Sequence, residues 1–250
     1  MGGGTDIVVL SMANAADRRD QFAGRASAAT VPWRFFDAHT ALDPDLIHDP
    51  DRLAVTHGRT LRPGELGCYS SHYAIWRDLL ASDARQYIVL EDDIIADWQK
   101  LARIAEHDFA ADGYHYVRLY QKQPSRQAIE RKAYPSRGFT LVRALGKVWG
   151  TQGYVVTRTG AAALMRACRH VERPIDDQMD RFWEHGIPTL SLHPFPIIET
   201  DAASSIGDER FEPRPAATPA RKAFMKADYA RRRRVLARFY LRRAAKRLFP

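Results

Sequence analysis

The sequence predicts an α/β fold, a sandwich with helices on both faces of a mostly parallel central sheet. Two short runs, Ile7–Leu10 and Tyr87–Leu90, are wholly apolar, as is typical of strands buried on both faces. Between them, apolar residues recur at intervals of three and four over residues 64–81, which predicts a helix that opens at Pro63. Because strands and helices alternate along the chain, the pattern indicates a layered α/β sandwich.

The other elements follow from similar patterns. Further strands are predicted at 33–36, 116–120, 140–145, 154–157 and 189–192. Further helices are predicted near 98–107, from Thr159 to about residue 170, and over 176–185, where Gly186 ends the helix. Residues 40–62 are rich in Asp, Pro and His without clear periodicity, so we expect a long surface loop there.

Charge divides the chain into two parts. The net charge of the 250 residues is +8, but 13 of the 38 basic residues and one of the 30 acidic residues lie within 213–250. This segment therefore has a net charge of +12, and residues 1–212 have a net charge of −4. We predict a globular domain over residues 1–212 and a basic helical tail over residues 213–250.

The tail combines positive charge with apolar side chains. Within residues 221–249, Met225, Tyr229, Leu236 and Tyr240 fall near one side of a helix, which predicts a basic amphipathic helix. Such a helix suits an anionic membrane surface, where each Lys or Arg contributes about 1 kcal/mol. A solvated appendage is one alternative. Nucleic acid is the other, and it ranks below the membrane because aromatic residues and leucines are grouped with the charges.

Composition excludes several classes of protein. A hydrophobic content of 45%, a charged content of 27% and a mean hydropathy of −0.41 do not fit a disordered chain, collagen or a polytopic membrane protein. The two cysteines, Cys68 and Cys168, do not support a disulfide framework and have no metal-type spacing. No apolar run approaches the ~20 residues of a transmembrane helix, and no signal-peptide pattern is present. We therefore expect a cytoplasmic protein.

Three carboxylates, Glu91, Asp92 and Asp93, directly follow the second apolar strand. In open α/β sheets the carboxyl ends of the strands are where ligands bind, and Mg²⁺ and Mn²⁺ prefer carboxylate oxygens. Alternate residues of a strand point to opposite sides, so Glu91 and Asp93 can face one site while Asp92 faces elsewhere. The context favours a divalent metal site over a solvated acidic turn.

A second acidic pair, Asp176 and Asp177, has two interpretations. The pair could cap a helix, or one carboxylate could act as a general base that removes the proton of a sugar hydroxyl. His193, just past a predicted strand, could ligate a metal or belong to a loop.

Basic residues offer candidates for phosphate recognition. Arg18 and Arg19 could bind a diphosphate through their guanidinium groups, or be surface charge. Because no Gly-rich phosphate-binding loop is present, phosphate recognition must rely on a metal and on basic side chains. His72 lies on the predicted helix over 64–81, and a lone helical histidine is usually a packed, hydrogen-bonded residue.

Taken together, these segments resemble glycosyltransferase family 25, the lipopolysaccharide-type glycosyltransferases. Leu61–His72 resembles the family's block L-x-x-G-E-x-G-C-x-x-S-H, and Val89–Asp93 resembles its hydrophobic-L-E-D-D motif. Weaker resemblances, in chain order, are Ile7–Arg19, Phe36–Ala38, Gly153–Val156 with Gly160 and Ala161, Pro174–Asp176, and Ser204–Ile206. The order and spacing of these motifs carry the resemblance.

The resemblance implies a GT-A-like nucleotide-sugar-binding fold, a UDP-sugar donor, Mn²⁺ or Mg²⁺, and inversion at the anomeric carbon. It implies that Asp93, with Glu91 directly or through water, holds the metal. It gives Asp92 a hydrogen bond to the ribose or sugar of the donor, and it makes Asp176 the base with Asp177 in reserve. It also makes Ser71 and His72 elements of the binding site.

We therefore expect a metal-dependent, inverting glycosyltransferase at the cytoplasmic face of the inner membrane. It would move a galactose- or glucose-type hexose from a UDP-sugar to a lipid-linked or surface-glycan acceptor such as lipopolysaccharide. The alternative is a catalytically inactive GT-A-like binding protein that acts at a membrane or on nucleic acid through its basic tail.

Overall fold

The protein folds as an α/β/α sandwich, which confirms the predicted fold class. A computed structural model describes residues 3–200 and 217–248. The strands are β1 (Thr5–Ser11), β2 (Trp33–Asp37), β3 (Gln86–Glu91), β4 (Ile94–Ala96), β5 (Tyr116–Arg118), β6 (Gln127–Lys132), β7 (Thr140–Ala144), β8 (Gly153–Thr157), β9 (Leu190–His193) and β10 (Ile197–Glu199). The helices are α1 (Ala16–Arg25), α2 (Pro50–Thr56), α3 (Pro63–Ala81), α4 (Trp98–Glu106), α5 (Arg158–Ala167), α6 (Ile175–Met179), α7 (Phe182–His185) and α8 (Pro219–Leu248).

The central sheet has eight strands in the order β2-β1-β3-β8-β5-β9-β7-β6. β1 pairs in parallel with β2 and β3, and β5 pairs in parallel with β9. β8 and β7 run antiparallel to both of their neighbours, so six of the eight strands share one direction. The sheet is therefore mostly parallel, as predicted. The carboxyl ends of β1 and β3, which pair in parallel, lie side by side at one edge of the sheet.

Both faces of this sheet are covered. On β1, Val8 packs in one core with side chains of α3 and α5, whereas Ile7 and Val9 pack in the other with side chains of α1 and α4. β3 alternates in the same way, with Val89 in the first core and Ile88 in the second. This alternation explains why both strands are apolar without interruption.

The segment predicted as a long loop contains helix α2, so that prediction is wrong for residues 50–56. The carboxylate of Asp49 accepts hydrogen bonds from the backbone N–H groups of Asp51 (3.0 Å) and Arg52 (3.1 Å), and Pro50 occupies the first turn. A capping aspartate followed by proline therefore starts a helix inside a stretch whose composition is typical of a loop.

The single helix predicted over 176–185 is two short helices, α6 and α7. Asp180, between them, is fully buried and pairs with Arg118 at 2.7 Å. Its second oxygen accepts hydrogen bonds from the N–H groups of Val148 (2.8 Å) and Trp149 (2.7 Å). The side chain of Asp180 thus holds the backbone of the loop at Val148 and Trp149.

Three strands, β4, β6 and β10, were not predicted, and one helix ends earlier than predicted. β4 and β10 have three residues each, too few for a periodic pattern, and they form a separate antiparallel pair. β6 is an edge strand with mostly exposed side chains, which explains its polar sequence. α5 ends at Ala167 rather than near residue 170.

Helix α8 confirms the predicted helical tail. It packs against α2 and α7, and Asp228 accepts hydrogen bonds from the guanidinium of Arg181 and from Nε1 of Trp183 (2.8 Å). The predicted boundary between residues 212 and 213, the Ser204–Ile206 motif and residue 249 lie outside the described residues.

The apolar side predicted for the tail remains largely open to solvent. Met225, Tyr229 and Tyr240 are exposed, and Leu236 is partly buried. Within the described ranges, no helix combines the length and the apolar character needed to cross a bilayer.

Candidate active site

A cleft of about 820 Å³ opens at the edge of the sheet where β1 and β3 end. Its lining includes Leu10 and Ser11 from β1 and the three carboxylates that follow β3. Its walls also include the first half of α3, the loop over residues 147–152, the start of α6, the 38–40 loop, Lys122 and Glu199. A crevice at the carboxyl ends of strands is the usual ligand site of an open α/β sheet.

Asp93 is the least satisfied carboxylate of the cleft. Its Oδ1 atom is buried and has no hydrogen-bond partner among the described residues. Burial, with repulsion from Glu91, Asp92 and Glu199, raises the pKa of Asp93 to about 7, although Arg18 opposes the shift. A buried carboxylate among other carboxylates is stabilised by a cation, so these oxygen ligands fit Mg²⁺ or Mn²⁺.

Asp92 is already engaged by the protein. Its carboxylate accepts hydrogen bonds from the guanidinium of Arg18 and from the hydroxyl of Ser11 (2.7 Å). The same guanidinium lies 3.9 Å from Asp93. The structure therefore uses Asp92 to fix Arg18 at the cleft, whereas the resemblance gives Asp92 a contact with the donor.

Glu91 connects the cleft to the core. Its Oε1 accepts a hydrogen bond from the hydroxyl of Thr151 and lies 3.6 Å from Nε2 of His72. Burial alone would raise the pKa of Glu91, but the facing imidazole of His72, together with the Thr151 hydroxyl and Lys122, outweighs burial and lowers the pKa. His72 is fully buried, with Nδ1 2.9 Å from the hydroxyl of Tyr154, which also accepts from Nε1 of Trp76 (3.1 Å). His72 therefore supports Glu91 from inside the core and does not line the cleft.

Cys68, His72 and Glu91 form a group with the spacing of metal ligands, because one ligand atom of each lies within 4.8 Å of the others. Thiolate and imidazole ligands suit softer metals such as zinc, whereas Mg²⁺ and Mn²⁺ take oxygen. Burial raises the pKa of the Cys68 thiol, which disfavours the thiolate that a metal needs. The oxygen ligands around Asp93 are therefore the better match for the cation that the resemblance implies.

The structure distinguishes the two carboxylates of α6. Both line the cleft, but burial, with repulsion from Asp177, raises the pKa of Asp176. Burial would also raise the pKa of Asp177, but an ion pair with Lys147 lowers it. Neither side chain caps α6 from the N-cap position, which Pro174 occupies. Asp176 thus keeps a basic, partly exposed carboxylate in the cleft, whereas Asp177 is neutralised.

The buried residues Arg118 and Asp180 hold the backbone of the loop over residues 147–152, which faces α6. Arg118 donates to the carbonyl groups of Trp149 (3.2 Å) and Gly150, and Asp180 binds the N–H of Trp149. Trp149 and Gly150 have φ angles of 48° and 82°, in the left-handed region. This backbone directs the N–H of Gly150 to Asp176 at 3.2 Å. The buried Arg118–Asp180 pair therefore positions the wall beside the candidate base.

Ser71 lies in the cleft wall, but its hydroxyl serves the backbone. The hydroxyl donates to the carbonyl of Gly67 (2.7 Å) and accepts from the N–H of His39 (2.8 Å). A ligand would meet this group only beside the 38–40 loop that it fixes.

Besides His72, two more predicted residues are not brought to the cleft. Arg19 binds the carbonyl of Ser11 (3.0 Å), pairs with Asp37 and lies over the ring of Phe35. His193 is the last residue of β9, and its imidazole packs against the ring of Phe195. Neither is among the described residues that line the cleft.

Sequence reasoning missed several polar residues of the cleft. Lys122 binds Glu199 at 2.7 Å, and Gln152 donates to the same carboxylate at 3.1 Å. Lys147 pairs with Asp177 across 30 positions of the sequence. Lys122 lies two residues after a predicted strand, so the rule that ligands bind at the carboxyl ends of strands could have identified it. No local sequence signal marks Lys147 or Glu199.

An α/β/α sandwich with an acidic cleft at the carboxyl edge of its sheet has the architecture of an α/β glycosyltransferase. The family model described as "Glycosyltransferase family 25 (LPS biosynthesis protein)" matches residues 5–179. The chain belongs to glycosyltransferase family 25, which confirms the resemblance seen in its motifs.

Curated relatives of this chain carry several different glycosyltransferase names. A putative glycosyltransferase of Haemophilus influenzae is 28% identical over 69% of this chain and 60% of its own length. The lacto-N-neotetraose biosynthesis glycosyltransferase LgtB of Neisseria meningitidis is 29% identical over 74% of this chain and 72% of its own length. The inactive glycosyltransferase 25 family member 3 of Homo sapiens is 28% identical over 79% of this chain and 37% of its own length. The chain thus spans less than two thirds of the length of two of these relatives.

Proposed function

We propose that this protein is a metal-dependent, inverting glycosyltransferase that moves a hexose from a UDP-sugar to a glycan acceptor. The observation that carries the proposal is the cleft itself, where Asp93, with a buried oxygen atom that accepts no hydrogen bond from the described residues, and the basic carboxylate of Asp176 line one cavity. Asp93, with Glu91 directly or through water, would hold Mn²⁺ or Mg²⁺. When bound, such a cation neutralises the charge that develops on the departing UDP.

Basic side chains of the cleft would bind the donor diphosphate. Arg18 is oriented by Asp92, so its guanidinium is held in place before the donor arrives. Lys122 and Lys147 also line the cleft, each beside an acidic partner. This arrangement supplies positive charge where the chain has no Gly-rich phosphate loop.

Asp176 would remove the proton of the acceptor hydroxyl as that oxygen attacks the anomeric carbon. Its raised pKa makes it a stronger base than an ordinary aspartate, and the N–H of Gly150 fixes its orientation. Inversion requires attack on the face opposite the leaving group, which is the side on which an inverting glycosidase also places its base.

The names of relatives suggest the acceptor class. LgtB is named for lacto-N-neotetraose biosynthesis, and another relative, from Haemophilus influenzae, is named a lipooligosaccharide biosynthesis protein. We accordingly propose a lipid-linked or surface glycan of the lipopolysaccharide type as the acceptor, and a galactose- or glucose-type hexose as the transferred sugar.

The decisive experiment is a panel of UDP-sugars with Mn²⁺ or Mg²⁺, read as release of UDP. We expect turnover of one hexose donor above the others, and loss of that turnover when EDTA removes the metal. Release of UDP no faster than the protein-free rate for every donor, with or without metal, would contradict the proposal. That result would favour the second candidate, an inactive binding protein, for which the relative named inactive is the precedent.

We also propose that α8 holds the enzyme at an anionic membrane surface on the cytoplasmic face of the inner membrane, where a lipid-linked acceptor would be found. Met225, Tyr229 and Tyr240 are exposed on a helix rich in arginine. The chain truncated before Pro213 should lose co-sedimentation with phosphatidylglycerol vesicles, and neither form should sediment with phosphatidylcholine alone. Equal sedimentation of the two forms with anionic vesicles would exclude this role. Nucleic acid is the weaker alternative partner, and competition by duplex DNA would reveal it.

A further inference from the structure

A second concave site lies between the body and the tail helix. It has a volume of about 330 Å³ and is called the tail pocket below. It is lined by Arg126, Leu145, Gly146, Tyr229, Arg232, Arg233, Leu236 and Tyr240. These residues combine guanidinium groups with tyrosine rings and leucine side chains, and the lining contains no carboxylate.

The arginines of the tail pocket have no acidic partner within it. Arg232 donates to the carbonyl of Leu145, which ties α8 to the body, and its Nε atom is buried without a hydrogen-bond partner. Arg233 lies over the ring of Tyr229 at 5.9 Å. The one acidic residue of α8, Asp228, is paired with Arg181 outside the pocket.

We propose that the tail pocket binds a phosphate group carried by a sugar or a lipid headgroup. Guanidinium groups bind phosphate oxygens through paired hydrogen bonds, and arginines that line one pocket without a carboxylate are stabilised by an oxyanion. Tyr229 and Tyr240 supply rings and hydroxyl groups beside this charge, which suits a sugar attached to the phosphate.

The tail pocket adjoins the catalytic cleft. Gly146 lines the pocket and the next residue, Lys147, lines the cleft, so the two sites share a short stretch of wall. Gly146 has no side chain, and a Cβ atom there would lie 3.5 Å from Arg232. If the proposed transfer takes place in the cleft, a phosphate on the acceptor glycan would sit in the pocket while the reacting hydroxyl sits beside Asp176. This last step rests on the proposed function, whereas phosphate binding itself does not.

Two double variants test the tail pocket, and each removes two positive charges. R126Q/R233Q alters the pocket, whereas R137Q/R238Q alters exposed arginines outside it. Both leave Arg232 in place, so the contact between α8 and Leu145 is kept. The probes are glucose 1-phosphate, measured by calorimetry against glucose, and phosphatidylglycerol vesicles, measured by co-sedimentation.

We expect the pocket variant to bind glucose 1-phosphate roughly tenfold or more weakly than the control variant, because charge-assisted hydrogen bonds are lost. Discrimination between the variants with glucose 1-phosphate identifies a sugar phosphate as the ligand. Discrimination with vesicles alone identifies a lipid headgroup, and both results support the pocket. Equal binding by the two variants to both probes would overturn it, because overall charge alone would then explain anion binding. No arm uses UDP-sugar turnover, so this proposal and the proposed function can fail separately.

Discussion

Asp176→Asn should lower turnover by roughly 10²- to 10⁴-fold, the range that general-base catalysis contributes. The amide keeps an oxygen that can accept the hydrogen bond from Gly150, but it cannot take a proton from the acceptor hydroxyl. Binding of UDP should persist, because in this assignment Asp176 acts on the acceptor. Single-turnover kinetics and calorimetry with UDP measure the two properties separately.

Asp177→Asn is the matched control, since it makes the same chemical change at the adjacent residue. Asp177 is neutralised by Lys147, so its loss should alter the position of that ammonium and raise the KM for the donor more than it lowers kcat. Equal and mild effects of the two substitutions would assign both carboxylates to the local structure of α6. A larger loss of kcat in the Asp177 variant would exchange the two roles.

The pH profile gives the same assignment an independent readout. Burial raises the pKa of Asp176, so the ionised, active base should be lost as pH falls through a value above that of an ordinary aspartate. The acid limb of kcat/KM in the wild-type enzyme should therefore lie at unusually high pH for a carboxylate. At saturating Mn²⁺, which keeps Asp93 ionised, the residual activity of D176N should lack this limb.

The fold was predicted well where a local run of apolar residues is enough to identify an element. The runs at Ile7–Leu10 and Tyr87–Leu90 are apolar because both faces of their strands are buried, and no distant contact is needed to interpret them. Helix α2 was missed because the composition around it is that of a loop, although Asp49 and Pro50 form a local start signal. The helix predicted over 176–185 failed for the opposite reason, since its division depends on distant contacts.

The residues of the site were predicted better than their roles. The rule that places ligands at the carboxyl ends of strands led to Glu91 and Asp93, and both line the cleft. The position of His72 depends on Tyr154, 82 residues away, and no spacing along α3 reveals that contact. In the same way the use of Asp92 depends on Arg18, 74 residues away.

Buried charged side chains around the cleft hold its wall and its ligand-binding groups in fixed positions. Arg118 and Asp180 fix the wall at Trp149, and Asp92 fixes Arg18, so that groups in contact with a ligand are held in place before it binds. A site organised in this way avoids the entropy cost of ordering its side chains during the reaction. Asp93 differs, because it has a buried oxygen atom that no described residue satisfies.

Asp93→Asn should reduce metal-dependent turnover by about 10²- to 10³-fold, comparable to the loss of a major electrostatic stabiliser. The same variant should lose the rise in melting temperature that Mn²⁺ gives to the wild-type protein, because a ligand that binds only the folded state stabilises it. Thermal unfolding with and without Mn²⁺ measures this effect without any sugar donor. Asp20→Asn, on the exposed side of α1, removes one negative charge outside the cleft and should keep both turnover and the response to Mn²⁺.

The stability of D93N without metal distinguishes loss of the site from loss of the fold. The pKa of Asp93 is about 7 in the folded protein, compared with 3.8 for an ordinary aspartate, so the folded state holds this proton more tightly than the unfolded state. The metal-free wild-type protein should therefore lose stability as pH rises from about 4 to about 7, by at most about 4 kcal/mol. Asparagine removes this cost, so metal-free D93N should unfold at pH 8 at the same temperature as the wild type or higher. If D93N unfolded earlier but kept its response to Mn²⁺, Asp93 would be a structural carboxylate and the metal would bind elsewhere.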